Sequence, residues 1–389
     1  MKHLIYADNA ATTQMDVDVF EAMKPYLLHE YGNASQPYSF ARQPKKAIQE
    51  ARETIASCIG ALPEEIYFTS GGTESDNWAI KGIAFRNYDH RATITTAFEH
   101  HAVLHACEAI ERLGCPVAYM LPDKRGFVSP DSLERYITDE TFLVSVMYAN
   151  NELGSIQPIK ELCKVAHDHG ALFHTDAVQA VGHVAINVND LGVDMLSASA
   201  HKFNGAKGVG FLYIRTGTTL PPYADGGAQE HGLRAGTENV PGIVGMGKAA
   251  ELAVLSMEDR MKWETDIRDH MIHRILSEIP YSRLNGHEKD RLPNNVNVSF
   301  QFVEGETILI MLDMVGICAS AGSACTSGSV DPSHVLTAIG LPKEISHGAV
   351  RLTLGYENTM DEADAVVDNL KRIVENLRKM SPAYQDFVS

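Results

Sequence analysis

Lys202 stands in Ser199-Ala200-His201-Lys202-Phe203-Asn204-Gly205-Ala206-Lys207-Gly208-Val209-Gly210, at the end of a predicted strand, flanked by hydroxyl and imidazole groups and followed by glycines. A lysine so placed can condense with an aldehyde cofactor once its surroundings free the amine of its extra proton. A solvated lysine in a glycine-rich turn is the alternative that this segment alone leaves open. Upstream, His174-Thr175-Asp176-Ala177-Val178-Gln179 closes another predicted strand on a carboxylate, with a side-chain amide three residues later. A carboxylate beside a pyridine-type nitrogen keeps that nitrogen protonated, so that the ring draws electrons, and Asp176 suits that work. Gln179 could reach a phenolic oxygen on the same ring. An aspartate that ends a strand also serves as a helix cap, which is the competing use of Asp176.

Phe68-Thr69-Ser70-Gly71-Gly72-Thr73-Glu74-Ser75-Asp76-Asn77 reads as a strand running into glycines and then into a helix start. Backbone N–H groups of Gly72 and Thr73, at the positive end of the helix dipole, would bind a phosphate there. The segment lacks the lysine of a P-loop, and strand–glycine–helix turns are also common structural joints. Glu99-His100-His101 adds an imidazole after the following strand. The flat ring of His100 could stack on a cofactor and pass protons, although a lone histidine also serves purely structural ends.

These segments need a scaffold that gathers strand ends. Between about 16 and 215, short apolar runs at 65–69, 92–96, 142–147, 172–175, 195–197 and 210–214 alternate with helical patterns. Such alternation implies βαβ units and a mainly parallel sheet covered on both faces, with ligands at the carboxyl ends of the strands. The polar residues named above cluster at those ends. Beyond Gly242 a long segment to about Ile279 has helix-forming composition and no proline, and is expected to link two units. The remainder reads as a smaller α+β unit with a strand at 295–300, a helix at 306–314, a strand at 350–354 and a closing helix at 360–379. A chain of 389 residues exceeds what one hydrophobic core usually serves, so two domains are expected. The loop from Ala319 to Ser333 is rich in Ser, Ala and Gly, carries Cys325 at its centre, and is expected to be mobile.

Acidic side chains outnumber basic ones by 50 to 33, and the net charge of −17 argues against a nucleic-acid or anionic-membrane surface and favours partners with basic patches. No stretch approaches the roughly 20 apolar residues that span a bilayer. The run Met1-Lys2-His3-Leu4-Ile5-Tyr6-Ala7-Asp8 meets an acid too early for a secretory signal, so a cytoplasmic location is expected. Cys58, Cys107, Cys115, Cys163, Cys318 and Cys325 are scattered without CxxC pairs, so neither a disulfide framework nor a metal site is expected. Each reads as a small buried apolar residue unless its setting is special.

Taken in order, the glycine-rich turn, His, Asn-Asn-Glu, Asp-x-x-Gln and Ser-x-His-Lys resemble the cysteine desulfurases of the NifS and IscS type, within the class-V aminotransferases. The likeness runs through essentially the whole chain. It includes Tyr6-Ala7-Asp8-Asn9-Ala10-Ala11-Thr12-Thr13, Tyr148-Ala149-Asn150-Asn151-Glu152-Leu153-Gly154, Arg234-Ala235-Gly236-Thr237-Glu238-Asn239 and Ser320-Ala321-Gly322-Ser323-Ala324-Cys325-Thr326-Ser327-Gly328. The resemblance implies pyridoxal 5′-phosphate as cofactor and the α/β architecture of fold-type-I transferases, a large domain with a mainly parallel sheet plus a smaller α+β domain. It sets the large, cofactor-binding domain at 13–257 and builds the small one from 1–12 with 258–389, carrying the Cys325 loop. It implies a homodimer with both sites near the subunit boundary.

On the same resemblance, Lys202 forms the covalent link to the cofactor aldehyde, His100 stacks on the ring and does acid–base work, Asp176 faces the ring nitrogen and Gln179 the ring hydroxyl. Thr73, Ser199 and His201 hold the phosphate, joined by Thr237 from the other subunit. Asn151 and Arg351, the latter in Ala349-Val350-Arg351-Leu352-Thr353-Leu354-Gly355, bind the substrate carboxylate, for which a bidentate arginine is well shaped. Cys325 takes the sulfur of L-cysteine as a persulfide and L-alanine leaves. Its loop looks like the longer form found in enzymes that pass sulfur to a scaffold protein for iron–sulfur cluster assembly. Cys318 precedes the loop, in an expected strand, and reads as structural.

The chain departs from the family's usual pattern at Gly32-Asn33-Ala34-Ser35-Gln36-Pro37-Tyr38, where a histidine is replaced by Tyr38, at Ala206 where proline is common, and at His231 where arginine is usual. Selenocysteine lyases and small-amino-acid aminotransferases share the fold; Cys325 in its loop favours sulfur transfer over amino transfer. A catalytically silent scaffold or sulfur-relay protein is a reading of another class, and the joint presence of Lys202, Asp176, His100, Arg351 and Cys325 speaks against it.

Overall fold

In the computed structural model, which describes residues 4–86, 92–321 and 332–388, the short apolar runs become strands. They are β1 (Ile5–Tyr6), β2 (Ile66–Thr69), β3 (Ala92–Thr96), β4 (Val117–Met120), β5 (Thr141–Ser145), β6 (Leu172–Asp176), β7 (Met195–Ser199), β8 (Gly210–Ile214), β9 (Ser282–Leu284), β10 (Asn295–Phe300), β11 (Ile317–Cys318) and β12 (Ala349–Thr353). Seven form one sheet in the order β2-β8-β7-β6-β5-β3-β4. Strands β4, β3, β5, β6 and β7 are mutually parallel, and β8 runs antiparallel to both β7 and β2.

Alternation along the strands feeds two separate cores, as a sheet covered on both faces requires. On β8, Phe211 and Tyr213 join the larger cluster with Phe173, Leu196 and Ala198, while Leu212 and Ile214 join a second cluster with Trp78 and Val103. A third cluster surrounds the antiparallel sheet β12-β10-β9 and the helices Met257–Glu278 and Met360–Met380. The first strand belongs here: β1 pairs in parallel with β11, and Ile5 and Ala7 are buried in this third cluster.

Strand β4 went unread because it forms one end of the sheet and is half-exposed over most of its length, so it lacks the continuous apolar run of the central strands. The helical segment past Gly242 is two helices, Val240–Leu255 and Met257–Glu278, bent by 70°. Ser256 makes the break: its backbone is outside helical geometry and its hydroxyl donates back to Leu252 O at 2.8 Å. Among the described residues no single helix is long and apolar enough to cross a membrane.

An ion pair ties the flank of the sheet together. His167 Nε2 meets Asp194 Oδ2 at 2.8 Å, and the same oxygen accepts from the N–H of Phe173 on β6 at 2.7 Å. The Asp194 bond, helped by Cys163, raises the His167 pKa to about 10. A histidine raised in the folded state stabilises fully below its unfolded pKa and loses that contribution as pH rises through the folded value. His167 is 42% exposed, which reduces the effect to the range of a surface pair. His167→Ala should therefore cost about 1 kcal/mol in urea unfolding at mildly acid pH, with the deficit gone by a pH of about 10. A deficit independent of pH would show packing, not charge.

Candidate active site

The carboxyl ends of β6 and β7 deliver Asp176 and Ser199 to the edge of one cavity of about 420 Å³. His201 and Lys202 follow β7 in a short 3-10 turn. Gly72 and Thr73 open the helix Gly72–Arg86 after β2, and His100 precedes the helix His101–Glu111 after β3. Asn151, Gln179 and Arg351 complete the set, and all ten of these residues line the cavity. The strand ends of the mainly parallel sheet bring the other residues to one side, and Arg351, 279 positions from Gly72, reaches the same cavity from β12 of the antiparallel sheet.

Close packing requires glycine at two positions. A Cβ on Gly72 would come within 2.4 Å of Val178 Cγ2, so only glycine lets the helix start press against the turn after β6. On β8, a Cβ on Gly210 would lie 2.4 Å from Ala198 O and 2.7 Å from Gly71 Cα. Two ion pairs brace the same turn. Arg52 Nη2 meets Glu230 Oε1 at 2.7 Å in a buried pair, and Glu230 Oε2 accepts from the N–H of Phe68 at 2.9 Å. Arg234 Nε meets Glu74 Oε1 at 2.8 Å, and the hydroxyl of Ser70 donates to Glu74 Oε2 at 2.5 Å.

Lys202 Nζ donates to the carbonyls of Ala10 at 2.6 Å and Ala11 at 2.8 Å, so the N-terminal segment holds the amine at the cavity edge. Gln179 Nε2 donates to the same Ala10 carbonyl at 3.0 Å. Asp176 Oδ1 accepts from Val178 N at 2.9 Å, so this aspartate does cap a turn, and it also faces the cavity. Burial raises its pKa to about 6, against the opposing pull of the Val178 N–H and Lys202. His100 Nδ1 accepts from the N–H of Ala102 at 3.1 Å, which leaves the ring proton on Nε2 in the neutral form. Burial, then Lys202 and neighbouring histidines, push its pKa down to about 4. A ring so held is a hydrogen-bond donor at Nε2 near neutral pH. Burial likewise holds His201 neutral, with a pKa down to about 4, and its Nδ1 lies 3.1 Å from Thr12 Oγ1.

Arg351 is 1% exposed. Its Nη1 donates to Asn151 O at 3.0 Å and its Nη2 to Asp8 Oδ1 at 2.9 Å, while Nε has no partner. Sequence reasoning gave Asp8 no role, although it stood within a quoted motif. It also passed over Glu152, a buried cavity residue whose carboxyl is raised to about 7 by burial, against the Ser333 hydroxyl and Arg351. Ser333 Oγ donates to Glu152 Oε2 at 2.5 Å, and His334 Nε2 lies 2.9 Å from Glu99 O. Asp76, a further buried acid of the cavity wall, was missed too; its spacing of four from Gly72 puts both on one side of the helix.

Cys325 lies outside the described residues. The described flanks of its segment are at the cavity: Ser320 exchanges backbone hydrogen bonds with Arg351 at 2.7 and 3.1 Å, and His334 lines the wall. Cys318 sits in β11 as expected, and burial, then Asp313, raises its thiol pKa. Thr237 is exposed in a second recess of about 170 Å³ and does not line the cavity of its own chain. Tyr38 and His231 do not line the cavity; Tyr38 is 47% exposed, and the His231 ring packs edge-on to Tyr67 at 6.0 Å.

A mainly parallel sheet with a lysine, a ring-sized cavity and a buried carboxylate at its strand ends defines an α/β transferase of fold type I. The chain belongs to the aminotransferase class-V family, which matches residues 5–366. It is 52% identical over 388 residues to a cysteine desulfurase IscS of Dictyoglomus turgidum, covering 100% of this chain and 98% of that protein. It is 53% identical over 379 residues to a cysteine desulfurase IscS of Methanosarcina thermophila, covering 97% and 94%. A solved structure of a NifS-like protein superposes with a TM-score of 0.91 at 37% identity, covering 96% of this chain and 100% of that one.

Proposed function

We propose that this protein is a pyridoxal-phosphate-dependent cysteine desulfurase that converts L-cysteine and an enzyme thiol into L-alanine and an enzyme persulfide. The observation that carries the reading is the convergence of Lys202, Asp176, His100 and Arg351 on one cavity, with both flanks of the Cys325 segment beside it.

The donor set fits the cofactor. Lys202 would hold its aldehyde, Asp176 its ring nitrogen, Gln179 its ring oxygen, and Gly72, Thr73, Ser199 and His201 its phosphate at a helix start where no Cβ intrudes. When bound, the cofactor supplies an electron-withdrawing ring that acidifies the substrate Cα–H. Arg351 and Asn151 orient the substrate carboxylate, and Lys202 as a free amine takes the Cα proton. His100, neutral with its proton on Nε2, would lie against the ring and donate a hydrogen bond to the substrate sulfur. The Cys325 thiolate attacks that sulfur, forming the S–S bond as the Cβ–S bond breaks; the electron pair stays on the substrate carbons, where the proton lost by the Cys325 thiol completes the methyl group and Lys202 returns the Cα proton, giving alanine. Cys325 lies four positions past Ala321, the residue that follows Ser320 at Arg351, and four positions reach at most roughly 14 Å when extended.

The third core cluster supports the division into a large domain at 13–257 and a small one from 1–12 with 258–389. Thr237, which does not line its own chain's cavity, suits a homodimer in which it completes the partner's phosphate site. The net charge of −17 suits a sulfur acceptor with basic patches, such as an iron–sulfur cluster scaffold. Among the described residues Cys58, Cys107, Cys163 and Cys318 are free thiols, which suits the reducing cytoplasm.

Incubation with L-cysteine and a thiol reductant should yield alanine and sulfide together; amino transfer without sulfide would favour the aminotransferase reading. Borohydride should abolish the visible absorbance of the yellow protein and fix the reduced cofactor on Lys202 in a peptide map. Label on another lysine would refute that assignment. A colourless protein that added pyridoxal phosphate does not restore would refute the class.

A further inference from the structure

Behind Asp176 lies a buried acid that the chemistry above leaves unused. Asp76 is 1% exposed, lines the cavity, and has an Oδ1 with no hydrogen-bond partner. The Ser197 hydroxyl from β7 is a polar group that acts on its carboxyl, where the helix Gly72–Arg86 packs on the strand leading to Lys202. His174 Nε2 stands 3.7 Å from Oδ1 but supplies no charge. Both its nitrogens meet serine hydroxyls at 2.9 Å, Nδ1 that of Ser145 and Nε2 that of Ser197, and complete burial pushes its pKa to about 3. The other titratable groups that act on Asp76 are acids, Asp176 on β6 and Glu99 after β3. Glu99 is itself pushed up to about 8 by burial.

An ionised carboxylate is costly in such a place unless a cation or several donors meet it, and two acids sharing one dry wall tend to hold one proton between them. Asp176 has the better claim to the charge, with the Val178 N–H at 2.9 Å and the field of Lys202. We propose that Asp76 is a positioning residue that stays protonated behind Asp176, so that this wall carries a single negative charge and presents it on Asp176. The proposal rests on the assignment of Asp176 to the ring nitrogen. Two negative charges would repel each other there. An apolar side chain would remove the polar group that faces the Ser197 hydroxyl where the phosphate-binding helix packs on β7. A neutral, hydrogen-bonding side chain avoids both.

The test is infrared spectroscopy of cofactor-free and cofactor-loaded protein with isotopically labelled aspartate carboxyl carbons, so that Glu99 does not contribute. At slightly alkaline pH the labelled protein should show a carboxylic-acid band that shifts in heavy water and vanishes in Asp76→Asn. That variant keeps the charge and shape of the protonated acid, and pyridoxal phosphate affinity should stay within about threefold, whereas Asp76→Leu should lose about tenfold. No labelled acid band in the unmutated protein overturns the proposal, whether or not either variant folds. So does a loss of cofactor affinity in Asp76→Asn as large as in Asp76→Leu. The band belongs to Asp76 when it vanishes in Asp76→Asn and persists in Asp176→Asn; its absence leaves the role of Asp176 standing, and a failure of Asp176→Ala to impair turnover refutes that role without touching the band.

Discussion

Cys325→Ser should still bind L-cysteine, seen as a change in the cofactor's absorption spectrum, while alanine formation falls on the order of 10³-fold or more, the scale of losing a catalytic nucleophile. Serine keeps the size and polarity of the side chain but is a far poorer nucleophile toward sulfur, so the binding and bond-breaking stages separate. An aminotransferase or a silent scaffold would be nearly indifferent to this change. Mass spectrometry of the unmutated protein after brief exposure to cysteine should find the added sulfur on the peptide that holds Cys325. The competing thiols are poor candidates: burial pushes Cys58 up to about 11 and raises Cys107 further, and Cys318 is raised as well. Sulfur on Cys318, or full alanine production by Cys325→Ser, would overturn the sulfur-transfer step and leave the cofactor assignment intact.

Asp176→Ala should lower turnover on the order of 10²-fold or more, because the carboxylate is needed most as charge develops on the ring. Folding should respond in the opposite sense. The carboxyl pKa is raised to about 6 in the folded state, from 3.8. An acid raised by burial makes ionisation a burden on the fold above that range, so the cofactor-free variant should be no less stable than the original at neutral pH. The lost acceptor for the Val178 N–H is the small opposing cost. Asp176→Asn, which preserves that acceptor and the shape without the charge, should share the catalytic loss. Near-normal turnover with bound cofactor in either variant would show that the role given to Asp176 is wrong.

The elements that carry the site were legible because their physics is local. Apolar runs such as 210–214 on β8 lie within a few neighbours of the glycines and hydroxyls that end them, and the strand–helix alternation follows from residue periodicity alone. Lys202, Asp176, His100 and Gly72 were placed at strand ends by the same reading, and the structure brings them to one cavity. The chain's likeness to cysteine desulfurases was equally available, since it rests on the order of short motifs. What local pattern could not supply was the joining of distant segments. The parallel pairing of β1 with β11 leads the chain to Asp8 against Arg351, and the turn that follows, with the carbonyls of Ala10 and Ala11, holds the amine of Lys202. Nor could the sequence alone assign protonation. That Asp76 and Glu99 are raised and His100 and His174 stay neutral follows from burial and from the groups packed around them, which exist only once the chain has folded.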